Sequence, residues 1–102
     1  MRKLILALLL SFSGYAQQKA IVHINAEFNE SNNWYGLKAL EDVKLYNGYI
    51  ESNPSIKEKY SITKIPTLIL FIDGKEVQRW EAALDMKVHA TTSEVQKKID
   101  QY

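Results

Sequence analysis

The chain has 102 residues, a formal charge of +1 and 46% hydrophobic residues, which suits one small globular domain. Thirteen basic residues stand against twelve acidic ones, scattered except for Lys97-Lys98, so no basic surface for nucleic acid is indicated. There is no cysteine, which excludes disulfides, thiolate catalysis and lipid attachment at a cysteine.

The first sixteen residues have the pattern of an export signal. Arg2 and Lys3 precede the apolar run Leu4 to Leu10, and Gly14-Tyr15-Ala16 places small residues where a signal peptidase reads. The run is far shorter than the ~20 residues a membrane-spanning helix needs. Cleavage after Ala16 removes two basic side chains and leaves Gln17 to Tyr102, 86 residues at a formal charge of −1. The expectation is a periplasmic or secreted domain, residues 17-102, with no stable membrane span after cleavage. Small exported domains often depend on disulfides, so this one must rely on its packed core.

Ala20 to Ala26 alternates and is rich in β-branched residues, as a strand should be. Asn29 to Asn33 is a polar stretch of turn-forming residues. Trp34, Leu37 and Leu40 then recur at helical spacing and predict a short amphipathic helix from Asn33 to about Asp42. Val43 to Ile50 contains Asn47-Gly48, a hairpin signal in isolation, but its flanks are too short for two strands; one irregular strand is expected.

Asn53 can cap a helix and Pro54 suits its first position, so a second helix runs to about Tyr60. Thr67 to Ile72 is continuously apolar, as in a central strand covered on both faces. Asp73-Gly74 turns the chain, and Glu76 to Ala82 returns antiparallel. Over Leu84 to Ala90, the alternation of Met86, Val88 and Ala90 leaves open an extension of the sheet or a loop. Thr91 and Glu94 have capping-box spacing ahead of Val95, Ile99 and Tyr102. The order describes an α/β domain: a right-handed βαβ unit, then a β-hairpin and a C-terminal helix, giving a mixed sheet with helices on both faces.

Specific residues in that order resemble the thioredoxin family. Asn53-Pro54, Lys59-Tyr60, Ile62 and Ile65-Pro66-Thr67 match, in spacing, the thioredoxin segment leading into its cis-proline. Leu68-Ile69-Leu70-Phe71 with Asp73-Gly74 looks like the strand and turn that follow, and Ala26-Glu27-Phe28 like the Ala-Glu-Trp before the redox motif. The resemblance covers nearly all of residues 17-102, although the first helical region is several residues shorter than in typical thioredoxins.

The family's Cys-x-x-Cys falls on Asn29-Glu30-Ser31-Asn32, so Asn29 and Asn32 are vestigial redox-motif positions. Exchange requires a thiolate attacking a disulfide sulfur, and an amide supplies neither a usable nucleophile nor a sulfur. The family's buried acid falls at His23, and its tryptophan before Ala-Glu falls at Asn25. The resemblance further implies that Pro66 is cis and that Ile65 offers backbone hydrogen bonds to an extended peptide. Phe28, Asn29, Ile65, Pro66 and Thr67 are therefore the candidate peptide-binding residues. A purely structural role for Pro66 is the competing account.

Other features carry readings of their own. The Asn29 to Asn32 stretch, ahead of the expected helix, could favour an anion, or be a solvated loop. Asn29-Glu30-Ser31 fits the N-glycosylation pattern, which short sequences match by chance. His23 and His89 are far apart in sequence and do not form a metal signature; no cofactor and no metal is expected, and no serine elbow or phosphate loop is present. Trp34 suits core packing, whereas Trp80 on an edge strand is open to either burial or partner contact. These readings predict no enzyme activity, but a redox-inactive module binding an unidentified protein or peptide. Two alternatives remain: a protein acting in redox homeostasis through a partner's thiols, and a structural subunit of an envelope complex.

Overall fold

A computed structural model describes residues 17–102. The expected export signal, residues 1–16, and its expected cleavage site lie outside the described residues. Four strands form one mixed sheet in the order β2-β1-β3-β4: β1 Lys19–Asn25, β2 Lys44–Tyr49, β3 Thr67–Ile72 and β4 Lys75–Glu81. β1 pairs parallel with β2 and antiparallel with β3, and β3 pairs antiparallel with β4. Two helices complete the domain, α1 Ser55–Lys59 and α2 Thr92–Ile99.

Strand alternation explains the two-sided core. Ile21, Leu68, Leu70 and Ile72 face α2, where Val95 and Ile99 meet them together with Trp34 and Leu40. Ile24 and Ile69 point the opposite way, toward Ile62, with Ile56 and Tyr60 packed against them. β1 and β3 are the inner strands, which is why TLILFI carries no polar residue after its first position. Each of Ile21, Ile24, Leu68, Ile69 and Leu70 is fully buried, and such a side chain contributes about 1.5–3 kcal/mol of hydrophobic stabilisation. That is the core on which a disulfide-free domain of this size depends.

Local chemistry sets the ends of α2. The Thr91 hydroxyl accepts the Glu94 N–H at 3.0 Å while the Glu94 carboxylate accepts the Thr91 N–H at 2.7 Å, the capping box expected from sequence. At α1 the expected cap differs. Asn53 uses its side-chain oxygen to accept from the Ser55 hydroxyl at 2.8 Å, and it is the Asn53 backbone carbonyl that receives the Ile56 N–H.

One expected element needs correction. Asn33 to Asp42 does not form an α-helix; the connection instead holds two 3-10 segments, Glu27–Asn32 and Leu37–Ala39. Trp34 and Leu40 are buried as their spacing suggested, but the Trp34 N–H donates to the His23 ring rather than to a helical carbonyl. Gly36 also passes close to the Trp34 ring and Thr92, so close that a Cβ there would lie 2.7 Å from Trp34. A short helix has little intrinsic stability to oppose such contacts. Over Leu84 to Ala90, where the sequence left a sheet extension or a loop open, the chain forms a turn and loop. Met86 has a positive φ of 61° and donates its N–H to the Ala83 carbonyl at 2.9 Å, which reverses the chain.

Candidate functional site

β1 delivers two buried polar side chains, His23 and Asn25, to the face of the sheet beneath the connection that follows it. His23 has both ring nitrogens occupied. Its Nε2 accepts the Trp34 N–H at 3.1 Å, so the ring proton sits on Nδ1 and donates to Asn47 Oδ1 at 2.7 Å. This is a neutral imidazole with a defined tautomer, and burial lowers its pKa below the usual histidine value. His23 is held structurally. Among the described residues no three His, Asp or Glu side chains converge on a point that would suit a metal ion.

Asn25, fully buried, anchors a network of side-chain amides. Its Nδ2 donates to the Asn29 carbonyl at 2.9 Å and to Asn33 Oδ1 at 2.7 Å. Asn29, only 5% exposed, returns a bond from its own Nδ2 to Asn25 Oδ1 at 3.1 Å. The second Asn29 hydrogen reaches the Met86 carbonyl, also at 3.1 Å. Asn32 Nδ2 donates to Asn29 Oδ1 at 2.7 Å, and Asn33 Nδ2 to the Tyr49 hydroxyl at 2.8 Å. The residues at the two vestigial redox positions are therefore in direct contact, across a kink at Asn29, where φ is −109° and ψ is 20°. Neither offers a reactive atom.

The network settles two of the weaker readings. Both hydrogens of Asn29 Nδ2 are committed inside the protein, so the nitrogen that glycosylation would modify is not accessible. No α-helix starts at Asn33, so the dipole argued for an anion site is missing. Sequence reasoning singled out Asn29 and Asn32 but not Asn33, Tyr49 or Met86 as their partners. The signal for Asn33 was the density of asparagine itself, at 25, 29, 32 and 33; nothing local pointed to Tyr49 or Met86.

The candidate peptide-binding residues divide into two groups. Phe28 is 74% exposed and Ile65 is half-buried. Asn29, Pro66 and Thr67 are buried, and the Thr67 hydroxyl donates to the Lys64 carbonyl at 2.6 Å. The Ile65-Pro66 peptide bond is cis. The Pro66 carbonyl accepts the Ala82 N–H, whereas among the described residues neither the N–H nor the carbonyl of Ile65 has a hydrogen-bond partner. Beside Ile65 lies an open groove of about 490 Å³ lined by Thr63, Lys64, Ala82, Ala83, Leu84 and Met86. The Leu84 side chain is fully exposed. The Asn29 network reaches this groove through the carbonyl of Met86, one of its lining residues. Trp34 and Trp80 both pack on the core, so neither is a free anchor.

No family model matches the chain. Over 30 residues the sequence is 63% identical to a thioredoxin of Chlamydia trachomatis and 57% identical to one of Chlamydia caviae. Each match spans 29% of this chain and 29% of the relative's own length. Solved structures extend the likeness across the fold. A thioredoxin mutant from Halobacterium salinarum superposes with a TM-score of 0.67 at 15% identity, covering 83% of this chain and 74% of that one. Thioredoxin-2 of the malaria parasite, a component of its protein secretion machinery, gives 0.64 at 13% identity over 87% of both chains. Thioredoxin from Fasciola hepatica gives 0.57 at 21% identity, over 82% and 80%. The fold is that of the thioredoxins. This protein is a thioredoxin-like domain without cysteine, and so without the thiol that exchange requires.

Proposed function

We propose that the protein is an exported, redox-inactive thioredoxin-like module that is not an enzyme and binds an extended protein segment at the Ile65 face. The observation that carries this reading is that the Ile65 backbone, at the rim of an apolar groove, has no hydrogen-bond partner among the described residues. An extended chain would add there by main-chain bonds, with its alternate side chains meeting Phe28 and Leu84. The asparagine network holds the Met86 carbonyl in place at the groove, which lowers the ordering cost of binding. The amino-terminal pattern ending at Ala16 supports export to the periplasm or beyond.

Selection of displayed random peptides on the immobilised protein tests the site. Peptides rich in apolar residues should be enriched, and their binding should shift the amide signals of Ile65, Leu84 and Met86. Leu84→Asp and Phe28→Ser, both at exposed positions, should each weaken binding about tenfold, equivalent to ~1.4 kcal/mol. No enrichment over bare resin, or amide shifts confined to other surfaces, would refute the reading. N-terminal sequencing of the exported protein checks cleavage after Ala16.

A further inference from the structure

The two edges of the sheet are treated differently. β4 is blunted: Lys75, Glu76, Arg79 and Glu81 lie along it, Arg79 is clasped by Glu76 at 2.7 Å, and the register shifts at Leu70/Phe71. Charge and irregularity of this kind discourage strand addition. β2, Lys44–Tyr49, has one charge at its first residue and none after it. Leu45 and Tyr46 are 38% and 53% exposed.

The hydrogen-bond parity of β2 tells which groups are free. Ile50, just past the strand, donates its N–H inward to the Asn25 carbonyl at 3.0 Å. Alternation along the strand then turns Tyr46 and Gly48 toward β1 and the backbone groups of Leu45, Asn47 and Tyr49 outward. The Tyr49 carbonyl is taken up by Ser52 and Asn53. Among the described residues, the outward groups left without a partner are the N–H and carbonyl of Leu45 and Asn47, and the Tyr49 N–H.

We propose that the outer edge of β2 pairs antiparallel with β2 of a second copy of this chain, about a two-fold axis at Asn47. In this register the two Asn47 residues exchange both backbone bonds, and each Tyr49 N–H meets the Leu45 carbonyl across the axis. Leu45 lies opposite Tyr49 on one face. On the other, the Tyr46 ring lies opposite Gly48 at a non-hydrogen-bonded position, where side chains approach most closely. An aromatic ring covering a cross-strand glycine is a stabilising pair in sheets. Gly48 also has the Ile56 side chain beside it, 3.1 Å from where a Cβ would be, so the ring gains an apolar floor. Lys44 falls opposite Ile50, and no like charges meet. The sequence of this strand is thus complementary to itself, which selects a second copy over an arbitrary strand. The surface is separate from the Ile65 groove.

An interface of one short strand per copy is small, so association is weak and reversible, within reach of measurements at about 0.1–1 mM. Amide spectra of the full chain over a dilution series test it. The Leu45, Asn47 and Tyr49 signals should move with concentration, Gly48 should shift under the partner's Tyr46 ring, and the apparent mass should rise toward twice the monomer. Asn47→Pro deletes the two central donors, each worth about 1 kcal/mol, and should weaken association at least ~tenfold. Asn47→Ala keeps the N–H and loses the same contact with His23, so it should associate as the wild type does. A monomer throughout the series overturns the proposal, including the case in which the outward amides are already protected from exchange at high dilution. Equal association by the proline variant, or equal loss in the alanine variant, overturns it too.

Discussion

Asn29→Ala is the most demanding test of the amide network. The substitution removes three side-chain bonds: to Asn25 Oδ1 at 3.1 Å, to the Met86 carbonyl at 3.1 Å and from Asn32 Nδ2 at 2.7 Å. Their losses are unequal. Asn25 Oδ1 is left without a partner at a fully buried residue, and an orphaned buried acceptor costs about 1–3 kcal/mol. The Met86 carbonyl is partly buried and loses less, and half-buried Asn32 can turn toward water. A water entering the vacated polar space recovers a fraction. The net expectation is a loss of about 2–4 kcal/mol. A domain of this size has roughly 4–13 kcal/mol in all, so the midpoint of thermal unfolding should fall by roughly 10–25 °C. Urea unfolding followed by fluorescence of Trp34 and Trp80 gives the free energy directly, with Asn32→Ala as comparator at about 1–2 kcal/mol, because it orphans only the partly buried Asn29 Oδ1 contact. A loss for Asn29→Ala no larger than for Asn32→Ala would show that the amides do not act as the buried clasp described.

Two further outcomes follow from neighbouring residues. The folded-state pKa of His23 is lowered by burial, so the unfolded chain binds its proton first as pH falls. Stability should be full above the ordinary histidine value of ~6.5 and decline below it, by up to ~1.36 kcal/mol per pH unit until the folded pKa is passed. Urea midpoints at a series of pH values in wild type and His23→Phe measure this, and a slope retained in the variant would assign the effect elsewhere. The double substitution Asn29→Cys with Asn32→Cys should close an intramolecular disulfide, because these side chains already meet at 2.7 Å. With an imidazole at 23 and no acid, insulin reduction by that variant should stay slow, and the wild type should show none. Thiol titration that finds only intermolecular disulfides would mean that the 3-10 segment does not bring the positions together.

What the sequence made legible was whatever depends on neighbours along the chain. The apolar run Thr67–Ile72 is a strand with the expected bounds, β4 lies within one residue of its expected place, and both bonds of the Thr91/Glu94 box form. Hydrophobic spacing was less informative about shape than about burial. Trp34, Leu37 and Leu40 do turn toward the core, yet the backbone carrying them is 3-10 and irregular because His23 and Thr92 constrain it from outside. Asn47-Gly48 reads locally as a hairpin, but parallel pairing with β1 extends it instead. At the site, the resemblance located Asn29 and Asn32, whereas their inward orientation rests on Met86, 57 residues away. A partner that distant leaves no local pattern to read.

Replacing a nucleophile with an amide does more than silence a reaction. A reactive thiolate must stay accessible and incompletely stabilised to attack, whereas Asn29 is buried with every side-chain donor used. The positions that exchange would keep open are here spent on fixing the loop. That fixation joins the β1 end, the 3-10 segment and the Met86 turn at the groove beside Ile65. Among the described residues, the Ile65 backbone is one of those at this rim without a hydrogen-bond partner. Water can satisfy backbone groups in an accessible groove, and a partner's main chain can replace that water. The chemistry surrendered at Asn29 and Asn32 is thus consistent with a gain in pre-organisation at the neighbouring rim, and Asn29→Ala should weaken peptide binding at Ile65 as well as the fold.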